Sequence, residues 1–341
     1  MFKIDIHTHI LPENLNEVTG RFSDPRFLKI DPIDARFIML NKDGKEFRKV
    51  NCNCWDHKER IKECDNTKVN IQVLSTVPVL FSYWAKDDEG LTLAQFLNDH
   101  ISRIINNVPD RFIGIGTIPM QKTEFAIKEM DRCINELKLP GVQIGSNING
   151  ENLSSEKFHP IFEHAEKLGS SIFVHPWEMM GQTDMEKYWL PWLVGMPAET
   201  SRAICSIIFG GILEKYPNLK IAFAHGGGSF PFTTGRIDHG YRMRPDLCSI
   251  DNAKLPSSYM KHFYIDSLVH DENTMRFLLE TVGAEQIALG SDYPFPLGEQ
   301  HPGKLIEEMD LTDSTKQRLL AGTALEWLGL TESEYIRNQT M

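Results

Sequence analysis

Ile4-Asp5-Ile6-His7-Thr8-His9 opens the chain as a short apolar alternation that ends in two histidines two residues apart. In an extended strand residues i and i+2 share a face, so His7 and His9 would aim both imidazoles into one volume. Two ligands of one metal ion need that arrangement, and two solvent-facing residues of an edge strand would also have it. What the other strands bring alongside decides between them.

Short apolar segments alternate with helical patterns along the 341 residues. Candidate strands cover 3–7, 70–76, 112–117, 141–145, 171–175, 220–225, 263–267 and 286–292, with amphipathic stretches such as 124–137, 158–168 and 203–216 between them. Eight buried strands separated by helices are the pattern of an α/β fold of (β/α)8 TIM-barrel type, an open doubly wound sheet being the alternative. The expected domain is single and spans 1–341. Phe37-Ile38-Met39-Leu40 and Glu46-Phe47-Arg48-Lys49-Val50 flank Lys42-Asp43-Gly44, and Asp-Gly between two strand-like runs predicts a β-hairpin. That hairpin belongs to an insertion of about residues 12–55 after the first strand, over the C-terminal face where barrel enzymes keep their chemistry.

A formal net charge of −11 argues against nucleic acid or an anionic membrane surface as partner. The longest nearly apolar run, 203–213, is too short and glycine-rich to span a bilayer. The first strand leaves no room for a signal peptide, and the six cysteines include no C-x-x-C pair, so a cytoplasmic protein with reduced thiols is expected. Cys52-x-Cys54 has no second pair to complete a metal site.

Four candidate strands end in a potential ligand: His7 and His9, then Phe173-Val174-His175, Phe223-Ala224-His225 and Gly290-Ser291-Asp292. Taken singly, such a histidine is more often a structural residue, and Asp292 a cap or turn residue. On a barrel, strand C-termini converge on one mouth, and imidazole with carboxylate at that convergence suits a zinc-type cation. His57, His100, His159 and His164 fall in helical or loop contexts and are expected at the surface. His225 is followed by Gly226-Gly227-Gly228, either a tight loop or a close backbone approach to a ligand. A serine-esterase reading of that motif fails because no G-x-S-x-G elbow is present.

Arg48 on the hairpin, and Arg242 and Arg244 after the sixth strand, are candidates for carboxylate recognition, since guanidinium grips carboxylate bidentately. Tyr188-Trp189-Leu190-Pro191-Trp192-Leu193 could wall an apolar pocket, fill core or form a subunit interface.

Asp5-Ile6-His7-Thr8-His9, His175-Pro176-Trp177, His225-Gly226-Gly227-Gly228 and Gly290-Ser291-Asp292-Tyr293-Pro294 together resemble the metal-dependent decarboxylases of the amidohydrolase superfamily. The likeness runs from residue 3 to about residue 330 and takes in the long stretches 74–86, 188–200, 225–232, 243–248 and 290–299. It implies one zinc ion per subunit held by His7, His9, His175 and Asp292, with His225 as the acid/base rather than a ligand. By the same likeness Arg48 holds a substrate carboxylate, and Arg244 reaches the neighbouring subunit's site in a working homodimer. Trp192, Phe295 and Leu297 align with the substrate pocket. The implied reaction is non-oxidative decarboxylation of a small carboxylated semialdehyde. A zinc-dependent hydrolase, such as a lactonase or amidohydrolase, and an aromatic-acid decarboxylase are the alternatives. Gly141-Val142-Gln143-Ile144-Gly145 carries no lysine that could bridge a second metal, which agrees with a single ion.

Overall fold

The computed structural model describes residues 1–331; residues 332–341, the end of the expected domain, lie outside the described residues. Ile4–Ile10 forms strand β1, buried along its whole length. Burial on both faces is what a parallel sheet clothed in helices requires of its strands. Strands β2 (Lys29–Pro32), β3 (Phe37–Lys42) and β4 (Lys45–Asn51) then make a separate antiparallel sheet. Asp43 and Gly44 turn the chain between β3 and β4 with φ of 55° and 69°. Two successive positive φ angles match the right-handed twist of a hairpin, and Asp-Gly tolerates them.

The chain continues through β5 (Ile71–Thr76), β6 (Phe112–Gly114), β7 (Gly116–Thr117) and β8 (Gly141–Gly145). A short antiparallel pair, β9 (Asn147–Ile148) and β10 (Glu151–Asn152), precedes β11 (Ser171–His175), β12 (Lys220–Phe223), β13 (Tyr264–Asp266) and β14 (Ile287–Ala288). β6 and β7 are halves of one extended run, the first paired with β5 and the second with β8. Parallel ladders thus lead from β1 through β5, β6/β7, β8, β11, β12 and β13 to β14. The ring closes where the Ile6 amide donates to the Leu289 carbonyl at 2.8 Å and the His9 amide to the Tyr293 carbonyl at 2.7 Å. The fold is therefore the closed (β/α)8 barrel, not the open sheet.

Strands expected over 220–225, 263–267 and 286–292 stop at Phe223, Asp266 and Ala288. Side-chain chemistry interrupts the first of these ladders. The Asp266 carboxylate accepts the backbone N–H of His225 and of Gly226, each at 2.8 Å, removing both donors from strand pairing. His225 and Asp292 then adopt φ of 58° and 57°. A left-handed non-glycine residue costs about 1–3 kcal/mol, and such strain collects where side chains must be aimed.

Ile4, Ile6, Val73, Ile113, Phe173, Ala222 and Ala288 fill the barrel interior, and fully buried Trp327 packs against Phe173 with ring centroids 6.0 Å apart. Helices cover the outside. Asp87–Asn107 buries Leu93, Leu97, Ile101 and Ile104 on one face and begins with Asp87, Asp88 and Glu89, where carboxylates suit the positive end of the helix dipole. The helix expected over 203–216 starts earlier and breaks, running Met196–Phe209 and then Ile212–Lys215. Gly211 between them has φ of 66°, and a Cβ there would meet the Asp251 carbonyl oxygen at 2.1 Å. Among the described residues no helix is long and apolar enough to cross a membrane. The cysteines are free, and burial pushes the Cys54 thiol up to about 12. His100 departs from its expected surface position: its Nε2 is buried without a hydrogen-bond partner among the described residues, and burial pushes its pKa down to about 4.

Candidate metal centre and substrate cavity

At the C-terminal ends of β1 and β11, and just beyond β12, four imidazoles converge. Ring centroids lie 5.0 Å apart for His7–His9 and His9–His175, and 5.1 Å apart for His7–His175, His7–His225 and His175–His225. Three of the rings have Nδ1 occupied: His7 by Asp266 Oδ2 at 2.6 Å, His9 by the Thr76 carbonyl at 3.1 Å, His175 by the Pro176 carbonyl at 3.0 Å. An acceptor at Nδ1 fixes the tautomer that leaves a lone pair on Nε2. The Nε2 atoms of His7 and His9 lie 3.2 Å apart, and 3.4 Å and 3.1 Å respectively from Asp292 Oδ1. Among the described residues, His175 Nε2 is buried with no hydrogen-bond partner. Lone pairs aimed at one another, and a buried nitrogen with nothing to bind, fit the donor set of a divalent cation.

His225 belongs to the same cluster. Ligand atoms of His7, His175, His225 and Asp292 all lie within 4.8 Å of one another, and His225 Nε2 is 3.7 Å from Asp292 Oδ2. Its Nδ1, however, is buried and without a partner among the described residues. Electrostatics follow from the two carboxylates in the centre. Burial opposes charge on His7, yet Asp292 and the hydrogen-bonded Asp266 push its pKa up to about 10. Burial holds His9 below, and His175 well below, the usual histidine range. Asp292 lies well below the carboxylate range despite burial, held there by His7, His225 and His9.

Two carboxylates that the sequence reading passed over complete the centre. Asp266 ends β13 and links His7 to the backbone of His225 and Gly226; burial opposes its ionisation, but His7 holds its pKa below the usual value. The signal was available, since Phe263-Tyr264-Ile265-Asp266 is another strand that finishes in a ligand-type residue. Asp5, inside the opening motif, accepts from the amides of His7 and Ser291 and from the Ser291 hydroxyl, fastening β1 to the segment that carries Asp292. Burial pushes its pKa up to about 7.

Beside the centre lies a cavity with about 530 Å³ of empty space, mouth included, lined by His9, His175, Asp292, Arg48, Trp177, Trp189, Trp192, Phe295 and Leu297 among others. Arg48 reaches it from β4, its guanidinium 5.1 Å from the Phe295 ring centroid and 5.6 Å from that of Trp192. Burial lowers the Arg48 pKa, with Asp292 acting the other way. Trp192 and Leu297 also line a recess on the His225 side. Of the aromatic stretch, Trp189 and Trp192 face the cavity while Tyr188 is exposed. Arg244 is not brought to this site within its own chain: it is exposed and pairs with Asp246 at 2.7 Å. Arg242 is exposed as well.

Residues 4–330 match the family model described as amidohydrolase. The chain belongs to the amidohydrolase family. Within that family it is 54% identical, over 98% of its length and 93% of the relative's, to the 2-amino-3-carboxymuconate-6-semialdehyde decarboxylase of Dictyostelium discoideum. The Caenorhabditis elegans protein of the same name is 36% identical over 97% of this chain and 95% of the relative. In structure the barrel resembles a 5-carboxyvanillate decarboxylase from Novosphingobium aromaticivorans, solved with manganese and a nitrobenzoic acid, at a TM-score of 0.82 and 23% identity over 96% of both chains. The chain is a carboxy-lyase of this family.

Proposed function

We propose that the protein catalyses the metal-dependent, non-oxidative decarboxylation of 2-amino-3-carboxymuconate 6-semialdehyde to 2-aminomuconate 6-semialdehyde and CO2, a step of tryptophan degradation by the kynurenine route. The observation that carries the reading is near full-length likeness to two decarboxylases named for that substrate. The metal would be zinc, held by His7, His9, His175 and Asp292, a nitrogen and carboxylate set that suits it. What supports this division of labour is the state of the ring nitrogens. The three assigned histidines have Nδ1 fixed by an acceptor, as ligating histidines do, whereas His225 Nδ1 has none.

In decarboxylation a carbon–carbon bond breaks, CO2 departs and its electron pair stays on the remaining carbon until a proton arrives. The substrate's conjugated enamine and aldehyde take up that charge. When bound, the metal supplies Lewis acidity and lowers the pKa of a coordinated water to about 7. His225, at the edge of the centre, accepts and returns a proton, a role suited to imidazole, whose two ring nitrogens can each accept or donate one. Arg48 grips a substrate carboxylate, while Trp192, Phe295 and Leu297 flank it and exclude water. Orientation of this kind lowers barriers by several kcal/mol. Arg244, exposed in its own chain, serves the neighbouring subunit's site in a cytoplasmic homodimer.

The test combines metal analysis with CO2 release from freshly generated 2-amino-3-carboxymuconate semialdehyde. Expected are one zinc ion per subunit and CO2 release that stops on chelation. Release from a hydroxybenzoate in preference to the semialdehyde, or ring or amide cleavage without CO2, would overturn the substrate assignment.

A further inference from the structure

Arg60, in the helix His57–Thr67, is fully buried, and its hydrogen-bond acceptors are all neutral. Nη1 donates to the His9 carbonyl at 2.7 Å and the Asn53 carbonyl at 3.1 Å, Nη2 to Thr8 Oγ1 at 3.1 Å, and Nε to Gln72 Oε1 at 3.2 Å. The guanidinium also lies 4.6 Å from the ring centroid of Tyr293, the residue after Asp292. A buried cation is costly unless its donors are satisfied, so a residue kept here has work beyond filling space.

Its contacts fall on one irregularity. The pairing of β1 with β5 shifts register between Asp5 and Thr8, so β1 carries an extra residue where His7 sits. Bulges of this kind re-aim side chains and leave part of the ladder unpaired. Arg60 spans the gap, binding Gln72 on β5 and Thr8 and His9 on β1, while Thr8 Oγ1 donates to the Val73 carbonyl at 2.8 Å. Thr8 is the residue between the two histidines. One planar side chain thus clamps the outer side of the His7-Thr8-His9 segment and supports the segment that carries Asp292. Lysine, a point donor without a planar face, cannot make this set of contacts together.

We infer that Arg60 is a positioning residue that holds the β1 bulge and Tyr293 so that His7, His9 and Asp292 keep metal-binding geometry. The inference rests on the metal-centre reading above.

The experiment compares the full-length protein with Arg60→Met and Arg60→Lys, by chelator competition for Zn2+, by the visible absorption of the Co2+-substituted forms, and by kcat and KM. Arg60→Met should bind Zn2+ roughly 10–100-fold more weakly, as loss of an orienting partner does. Its Co2+ spectrum should shift and kcat should fall with KM nearly constant, Arg60→Lys being intermediate. A merely structural role predicts a lower Tm with unchanged Zn2+ affinity and Co2+ spectrum, and that outcome overturns the inference. If Arg60→Met does not fold, Thr8→Val removes the two hydrogen bonds of Thr8 Oγ1, from Arg60 and to the Val73 carbonyl, and keeps the other contacts of the guanidinium; it should weaken Zn2+ binding severalfold, and unchanged binding again overturns the inference. A wild-type protein that takes up no metal would sink the metal-centre reading as well, whereas a normal wild type beside indifferent variants sinks only the role of Arg60.

Discussion

His7 and Asp266, 259 residues apart in sequence, meet with Nδ1 and Oδ2 separated by 2.6 Å in a fully buried contact. The same carboxylate holds the amides of His225 and Gly226. One side chain therefore sets the tautomer of a proposed metal ligand and the backbone of the proposed acid/base.

Asp266→Asn keeps the shape but replaces a charged acceptor with a neutral amide. Metal affinity or turnover should drop roughly 10–100-fold, the usual consequence of losing a carboxylate behind a ligating histidine. Chelator competition and turnover at saturating metal separate the two effects. Wild-type values in both would show that Asp266 only supports the fold.

Proton and metal compete at His7. In the metal-free protein its pKa is raised from 6.5 to about 10. A raised pKa contributes stability that is complete below the unfolded value and lost as pH climbs through the folded one, so the metal-free Tm should fall as pH rises from neutral towards 10. Metal uptake must expel this proton, so affinity should rise about tenfold per pH unit between about pH 7 and 9. His9 and His175, with lowered pKa values, are already neutral and add no further protons. Chelator competition at several pH values measures the slope; a flat profile contradicts a protonated His7.

His225→Ala should retain metal near the wild-type level while turnover falls by roughly 100-fold or more, the contribution of a positioned acid/base. Loss of metal would make His225 a ligand instead. Mixed with inactive Arg244→Ala subunits under conditions of exchange, His225→Ala subunits should regain part of the activity if Arg244 acts across the dimer. No recovery after demonstrated exchange places Arg244 outside the neighbouring site.

Arg48→Ala removes the guanidinium that faces the cavity between Phe295 and Trp192. Charged hydrogen bonds contribute about 1.5–3 kcal/mol, so KM should rise roughly 10–100-fold with zinc content unchanged. An unaltered KM would assign carboxylate binding to another group.

Much of this arrangement was legible in the chain. The i, i+2 spacing of His7 and His9 and the histidine that ends Ser171–His175 marked the strand ends that converge. Asp43-Gly44 marked the hairpin whose second strand carries Arg48. Strand bounds after residue 220 were less legible, because Asp266 takes backbone donors that a periodic pattern assigns to a ladder. His100 misled for a related reason, since a polar residue on a helix does not reveal how deeply that helix packs.

Residue type and local period, then, were enough to determined strand faces, the turn and the presence of imidazole and carboxylate at strand ends, because these depend on neighbours a few residues away. Only the tertiary structure decided which acceptor each Nδ1 finds, that Asp5 and Asp266 tie separate strands to the centre, and that Arg60 spans the bulge in β1. Apart from His175, whose acceptor is the carbonyl of its neighbour Pro176, those contacts join residues tens to hundreds of positions apart, and ring closure of the barrel brings them within hydrogen-bond distance.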